Sequence, residues 1–233
     1  MALNRASGAS EDDEQLAVVH PDGTPTGLVK SRAAIHTDGD WHCTRTVWAL
    51  LSAAGDAGPA LVLQQRGPFK ASWPNRLDAS SAGHLRVGDP DPWREAEEEL
   101  GRRPGAGEAL PLGRRQSGCR LPNGQIDLEV QELWLWHCPH DLLELQPPYP
   151  EVRALLAVAP DDLQRLAAGV VQQIPALVRR PGASRVEAGS AAGRQLIPGE
   201  EPYIRQVSEI TLRILAGESW TPLEVDPEAE FEV

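Results

Sequence analysis

Three glutamates in the middle of the chain have a spacing that could bind a metal ion. Glu95, Glu98 and Glu99 lie at i, i+3 and i+4 in the segment PWREAEEELG, and a helix brings residues at these spacings to one face. Like charges in one stripe repel each other, and a hard divalent cation relieves that repulsion by binding the carboxylate oxygens. The spacing therefore fits a carboxylate metal site, and a solvated acidic helix face is the alternative.

Start and stop signals predict the helix that carries this stripe. Asp91 is a candidate N-cap, Pro92 suits the first turn, and Gly101 suits the position that follows a helix. Arg94 lies one turn before Glu98, where the two side chains can pair. The opposite face, which we expect to pack on a sheet, consists of Trp93, Ala96 and Leu100.

Alternation of apolar residues and turn signals predict the remaining elements. The pair Asp22-Gly23 favours a hairpin turn, and strands alternating with a few helices indicate a mixed-sheet α/β or α+β sandwich. We expect strands at 17–19, 27–29, 46–51, 61–65, 126–136 and 152–158, an irregular loop with a short strand at 66–85, helices at 161–179 (broken near Pro175) and 201–215, and a loop at 181–199.

Composition limits the classes of function. The 233 residues are 41% hydrophobic and carry 22 basic against 34 acidic side chains, a formal charge of −12, which disfavours wrapping of a nucleic-acid polymer. Three cysteines without C-x-x-C spacing fit a reducing cytoplasm, and no apolar run is long enough to span a membrane. We expect a disordered acidic leader at 1–14, one domain at 15–217 and an acidic tail at 218–233.

The segment from Gly83 to Arg102 resembles the Nudix box, written G-x5-E-x7-R-E-U-x-E-E-x-G-U with U aliphatic. The REAEEELG core matches its second half. Asp89 stands where the box has glutamate, four residues instead of seven separate it from Arg94, and Arg102 fills the last aliphatic position. The missing residues amount to almost one helical turn, so we expect a catalytic helix that begins a turn late with its glutamate stripe unchanged.

The resemblance extends over roughly residues 17 to 160. The segments HPDGTPTGLVKSRAAIHTDGDWHCTRTVWALL, LVLQQR, SWPNRLDASSAGHL and QIDLEVQELWLW are similar, in order and spacing, to the Nudix branch related to isopentenyl-diphosphate isomerase. This resemblance implies the Nudix fold, of class α/β (α+β), in which a mixed β-sheet is sandwiched between α-helices. A homodimer is a common arrangement among such proteins.

The resemblance also implies an activity, which is hydrolysis of the diphosphate bond in a nucleoside diphosphate, alone or linked to another moiety. By the same resemblance, Glu95, Glu98 and Glu99 bind Mg²⁺ or Mn²⁺ with the Gly83 carbonyl nearby, and Arg94 orients the carboxylates. The substrate would be a small-molecule diphosphate. We expect no nucleic-acid polymer and no membrane as partner.

Glu129 is the best candidate for an additional carboxylate that serves the metal or the attacking water. Strand alternation puts Asp127, Glu129 and Gln131 on one face of the segment IDLEVQE, with Leu128 and Val130 on the other. This polar face predicts a local polar cavity opposite the box helix. The alternative is that Glu129 is simply an outward-facing strand residue.

Two other functions remain open. His36, His42, His84, Asp127 and Glu129 match positions that hold a metal ion in isopentenyl-diphosphate isomerases, which makes an isomerase-like enzyme the first alternative. However, Ala82 stands where those isomerases place their protonating cysteine, and a methyl group cannot transfer a proton. The second alternative is a non-catalytic nucleotide-binding module on a degenerate Nudix scaffold. The intact REAEEELG core favours the hydrolase over both.

Overall fold

The computed structural model describes residues 13–53, 58–89, 91–121 and 123–226. Our expectations for residues 1–12 and 227–233 lie outside this range. In chain order the elements are β1 (Gln15–Val19), β2 (Pro25–Ser31), α1 (Arg32–Asp38), β3 (Trp41–Leu51), β4 (Ala60–Arg66), β5 (Leu77–Asp78), β6 (Ser81–His84), α2 (Arg94–Leu100), β7 (Ala109–Arg120), β8 (Ile126–Cys138), β9 (Val152–Val158), α3 (Pro160–Ala167), β10 (Gln173–Arg179), β11 (Glu187–Ala192) and α4 (Glu201–Leu215).

The strands form a mixed sheet, as the sequence predicts. Its main path runs β11-β10-β9-β4-β3-β1-β2, with β5 on β4, β6 and β8 on β3, and β7 on β8. The pair β3–β8 is parallel, with His42 opposite Glu129. The pair β3–β6 is antiparallel, with Thr44 opposite His84. Strand β3 is therefore the element on which β6 and β8 converge.

Helices cover both faces of this sheet, which confirms the expected sandwich. Alternate residues of β3 point to opposite sides: Trp48 packs in the core that includes α3 and α4, and Ala49 in the core that includes α2. Both residues are fully buried. Burying these two apolar faces is the main force that holds the layers together.

The amphipathic C-terminal helix is also confirmed as α4. Ile204, Val207 and Ile210 are buried against the sheet, as their spacing of three and four predicts. The Tyr203 hydroxyl accepts a hydrogen bond of 2.6 Å from the indole nitrogen of Trp48. This bond links α4 to the middle of β3.

The expected helix at 161–179 is confirmed only as far as Ala167, and the expected loop at 181–199 is wrong where it contains a strand. Helix α3 ends at Ala167, and Gly169 adopts a left-handed φ of 70° that breaks the helical path. Residues 173–179 then form strand β10, in which Ile174, Ala176 and Val178 alternate into the core. Residues 187–192 form β11, which pairs with β10. Their small side chains have little intrinsic preference for a strand, so the hydrogen bonds to β10 stabilise the extended conformation.

Helix α1 and strand β7 were not expected from the sequence. The Ser31 hydroxyl accepts a 3.3 Å hydrogen bond from the backbone of Ala34 and so caps α1. Beyond α4, Leu223 bonds through its backbone to both Leu112 and Arg114 at the outer edge of β7. Of the expected leader, Asp13 and Glu14 are described, and the side chain of Glu14 is only 8% exposed. No helix in the described ranges is long and apolar enough to cross a membrane.

Candidate active site

Helix α2 presents the three glutamates at different depths. It begins at Arg94, two residues later than the start signals suggest, and ends at Leu100, after which Gly101 has a left-handed φ of 68°. Asp91 does not cap the helix but accepts a hydrogen bond from the backbone of Trp93. Ala96 and Leu100 are buried on the sheet, as predicted. Among the carboxylates, Glu99 is buried, Glu95 is partly exposed and Glu98 is exposed.

Arg94 ties the start of α2 to the surrounding acidic groups. Its guanidinium lies 2.7 Å from Glu95 and 3.0 Å from Glu98, so the pairing predicted at one helical turn is present. It also lies 2.8 Å from Asp89 and donates to the backbone oxygen of His84 at 3.3 Å. Asp89 therefore contacts Arg94 even though the segment between them is three residues shorter than in the Nudix box.

Gly83 allows Glu95 to pack directly against strand β6. A Cβ atom at position 83 would lie 2.1 Å from Cγ and 2.2 Å from Cδ of Glu95, which is far inside van der Waals contact. Glu95 can therefore occupy its observed position only because residue 83 has no Cβ atom. A cavity of about 350 Å³ adjoins this contact, and its lining includes Ser81, Arg86 and Arg94.

Glu99 is held in a buried pocket of donors. It accepts hydrogen bonds from the side chain of Gln64 at 2.9 Å and from the backbone of Ala82 at 3.2 Å. The Lys70 ammonium lies 3.4 Å away and also pairs with Glu151. Burial raises the pKa of Glu99, and the neighbouring Lys70 and Arg66 oppose that rise. The contacts of Gln64 and Lys70 with this carboxylate were not anticipated, because no motif links them to α2.

Burial also raises the pKa of Glu95, to about 7. The negative charges of Glu99 and Glu98 act in the same direction, while the positive charge of Arg94 opposes them. A bound divalent cation would favour the ionised carboxylate. The arrangement thus has the acidic oxygen donors and the electrostatic need that a hard cation satisfies.

A second cluster, which we term the histidine cluster, lies at the ends of α1, β3, β6 and β8. It brings three imidazoles together with ring centroids 5.0–5.5 Å apart. One oxygen of Asp127 is 3.5 Å and 3.6 Å from Nε2 of two of them, and the parallel pairing of β3 and β8 adds Glu129. The members are His36, His42, His84, Asp127 and Glu129.

The atoms of the histidine cluster fit a metal ion. Nε2 of His36, His42 and His84 and Oδ1 of Asp127 are buried and find no hydrogen-bond partner among the described residues. Buried polar atoms without partners are costly, and nitrogen with carboxylate oxygen is a common donor set for transition metals. Glu14 stands 3.9 Å from Nδ1 of His84, on the side away from the unpartnered nitrogen. Its position next to the cluster was not predicted.

The protonation states of the histidine cluster also favour cation binding. Burial lowers the pKa of His36 to about 4 and depresses the pKa values of His42 and His84, so these imidazoles are neutral near pH 7. Burial raises the pKa of Asp127 to about 6 and that of Glu129 to about 7. Neutral imidazoles have a free lone pair for a metal.

The structure thus sorts the residues predicted for the site into two groups. Glu95 and Glu98 flank Arg94 next to Gly83, and Glu99 lies on the same helix beside Lys70, whereas Glu129 belongs to the histidine cluster. Strand β6 joins the groups, because Gly83 contacts Glu95 and the next residue is the cluster's imidazole His84.

Comparison with known proteins identifies sequence relatives of this chain. No family model matches the chain. Nudix hydrolase 3 of Arabidopsis thaliana is 40% identical over 92 residues, which cover 38% of this chain and 11% of that protein. An uncharacterised Nudix hydrolase of Clostridium acetobutylicum is 30% identical over 138 residues, covering 58% of this chain and 66% of that protein. The chain therefore spans less than two thirds of either relative.

Solved structures with similarity to this chain include two bacterial proteins. The crystal structure of DR0079 from Deinococcus radiodurans has a TM-score of 0.48 at 20% identity and covers 67% of this chain and 90% of that one. A Nudix hydrolase from M. smegmatis, RenU, has a TM-score of 0.44 at 13% identity and covers 85% and 95%. On the strength of the sequence relatives and the box motif on α2, the chain belongs to the Nudix superfamily.

Proposed function

We propose that this protein is a metal-dependent hydrolase that cleaves the diphosphate bond of a nucleoside diphosphate, alone or linked to another moiety. The observation that carries the proposal is the carboxylate stripe of α2, in which Glu95 and Glu98 flank Arg94 and Glu95 packs on Gly83. Both sequence relatives bear the name Nudix hydrolase, which supports the same reaction class.

In this proposal Glu95, Glu98 and Glu99 hold Mg²⁺ or Mn²⁺, with the Gly83 carbonyl as a further oxygen. Such an ion supplies charge neutralisation of the diphosphate and polarisation of phosphorus. Arg94 keeps two of the carboxylates in place. Lys70, partly buried beside Glu99, adds a positive charge where a diphosphate would enter an otherwise acidic site, and phosphoryl transfer depends mainly on such charge stabilisation.

We further propose that Glu129 takes the proton of the attacking water or binds a second ion. Its raised pKa of about 7 lets it exchange a proton near neutral pH. The matched test is Glu129→Gln against Glu97→Gln, because Glu97 is an exposed residue of α2. We expect a more than tenfold loss in kcat and weaker metal activation for the first change and little effect of the second. Equal, small effects would remove Glu129 from the mechanism.

The central experiment is turnover on a panel of nucleoside diphosphates, dinucleotides and diphosphate sugars, followed by phosphate release with Mg²⁺, with Mn²⁺ and in excess chelator. Glu98→Gln should lower kcat by about a hundredfold. Glu97→Gln is its control, since the two side chains are 54% and 58% exposed. Full activity in chelator, or a near-normal rate for Glu98→Gln, would contradict the proposed site.

An isomerase-like enzyme is the second candidate, and the histidine cluster is the observation that favours it. Against it stands Ala82, whose methyl group cannot donate a proton. A non-catalytic nucleotide-binding module is the third candidate, and absence of turnover on the whole panel, with nucleotide binding retained, would support it. We also propose a cytoplasmic protein that can form a homodimer. The free thiols of Cys43, Cys119 and Cys138 fit a reducing compartment.

A further inference from the structure

An unbroken series of hydrogen bonds joins the start of helix α4 to the histidine cluster. Glu200, the residue before α4, accepts a bond of 2.5 Å from Arg115. Nε of Arg115 donates to Oε1 of Gln131 at 2.6 Å, and Nε2 of Gln131 donates to Oε2 of Glu129 at 2.5 Å. Each of these bonds is partly buried. The series therefore ends on Glu129, a carboxylate of the histidine cluster.

The chemistry of the donors fixes the direction of every bond in the series. Arginine has only donors, so the oxygen of the Gln131 amide must face Arg115. The amide nitrogen then faces Glu129 and occupies one of its two carboxylate oxygens. The register of the sheet supports this arrangement, because Arg115 lies directly opposite Gln131 in the β7–β8 pair, and Gln131 and Glu129 share one face of β8.

The ring of Tyr203 also restrains Arg115. Its guanidinium carbon lies 3.7 Å from the centroid of the Tyr203 ring, a cation–π contact. Tyr203 is itself fixed by the bond from Trp48. The Arg115 side chain is only 17% exposed. A side chain restrained by an acid, an amide and a buried ring has little freedom, so it can restrain its neighbours in turn.

We propose that Arg115 and Gln131 are positioning residues that hold Glu129 in the orientation in which it binds a metal ion together with the histidines. The inference rests on the part of the proposed function in which Glu129 binds a second ion, together with the unpartnered nitrogen and oxygen atoms of the histidine cluster. Partners that orient metal ligands typically contribute about 10- to 100-fold to metal affinity. Glu200 and Tyr203 both contact Arg115, so the position of α4 on the sheet also affects the orientation of Glu129.

The test uses the full chain and Co²⁺, whose visible absorption depends on the number and geometry of its ligands. Titrations by absorbance and calorimetry would compare the wild type with Gln131→Met, which keeps the length of the side chain but loses both bonds, and with Arg115→Lys, which keeps the charge but loses the planar fork. His42→Gln assigns the signal to the histidine cluster. Arg213→Met is the matched control, because Arg213 forms an exposed pair with Glu209 on α4.

We expect Gln131→Met to bind Co²⁺ at least about tenfold more weakly and to give an altered absorption spectrum. Arg115→Lys should change the affinity and the spectrum in the same direction. Arg213→Met should match the wild type in both. Thermal melting separates these effects from unfolding, and Gln131→Met remains decisive if Arg115→Lys does not fold. Wild-type affinity and spectrum in Gln131→Met would overturn the proposal. Absence of Co²⁺ binding by the wild type would also overturn it. Because metal binding is measured without turnover, either result is independent of the hydrolysis assay.

Discussion

Replacing Gly83 by alanine should disable the carboxylate site while leaving most of the fold intact. The added Cβ would lie 2.1 Å from Cγ of Glu95, whereas ordinary contacts between carbon atoms begin near about 3.5 Å. Glu95 must therefore move by more than about 1 Å. Because a misplacement of about 1 Å in a catalytic site can cost about a hundredfold in rate, we expect a loss of that size in kcat. Because the displaced atoms belong to the end of a flexible side chain, the loss in the free energy of unfolding should be smaller than the value of about 1–3 kcal/mol that is typical of overpacking in a core.

The assay is a double-mutant cycle on the substrate that the panel identifies, at saturating Mg²⁺. Gly83→Ala, Glu95→Gln and the double variant are compared for kcat, and urea denaturation monitors stability. If alanine acts by displacing Glu95, it should add little to the loss already caused by Glu95→Gln. Gly193→Ala is the control, since a Cβ at position 193 would meet its nearest neighbour at an ordinary 3.8 Å. A wild-type rate for Gly83→Ala, or fully additive losses, would refute the reasoning.

Three further predictions concern the two clusters and the core. Metal binding should release protons and tighten as the pH rises through about 7, because burial raises the pKa values of Glu95 and Glu129 to about 7 and their bound protons must leave; binding heats that do not depend on the ionisation enthalpy of the buffer would contradict this. The protein should not interconvert isopentenyl and dimethylallyl diphosphate, because Ala82 supplies no acid, and isomerisation above background in a purified sample would reverse our choice of function. Tyr203→Phe should lower the free energy of unfolding by about 1 kcal/mol by removing the acceptor of the Trp48 bond, as urea denaturation would measure, and an unchanged midpoint would show that the bond contributes nothing.

The carboxylate helix could be predicted because its signals are local. The glutamate spacing, the apolar positions Ala96 and Leu100 and the stop at Gly101 are all read within one short segment, and the structure confirms each of them. The start was misplaced by two residues, because the side chain of Asp91 bonds to Trp93 in a turn that precedes the helix. Local signals thus establish that an element exists more reliably than where it begins.

The surroundings of the site could not be predicted because they depend on strand register and tertiary contact. The approach of Glu129 to His42 follows from a parallel pairing between strands far apart in the sequence. The donors around Glu99 come from a separate strand and loop, and no sequence spacing connects them to α2. The strand at 173–179 was missed for a related reason, since its apolar residues suit a helix as well as a strand that pairs with a neighbouring backbone.

The segment that follows α4 has a consequence for the solubility of the protein. An outer strand with unpaired backbone groups is a template for association with other chains, and Leu223 occupies two such groups of β7 by bonding to Leu112 and Arg114. The fit depends on Gly113, where a Cβ would stand 2.1 Å from the Leu223 carbonyl oxygen. A chain shortened before Leu223, or a side chain added at position 113, would leave that edge of the sheet open, and we expect it to increase aggregation through β7.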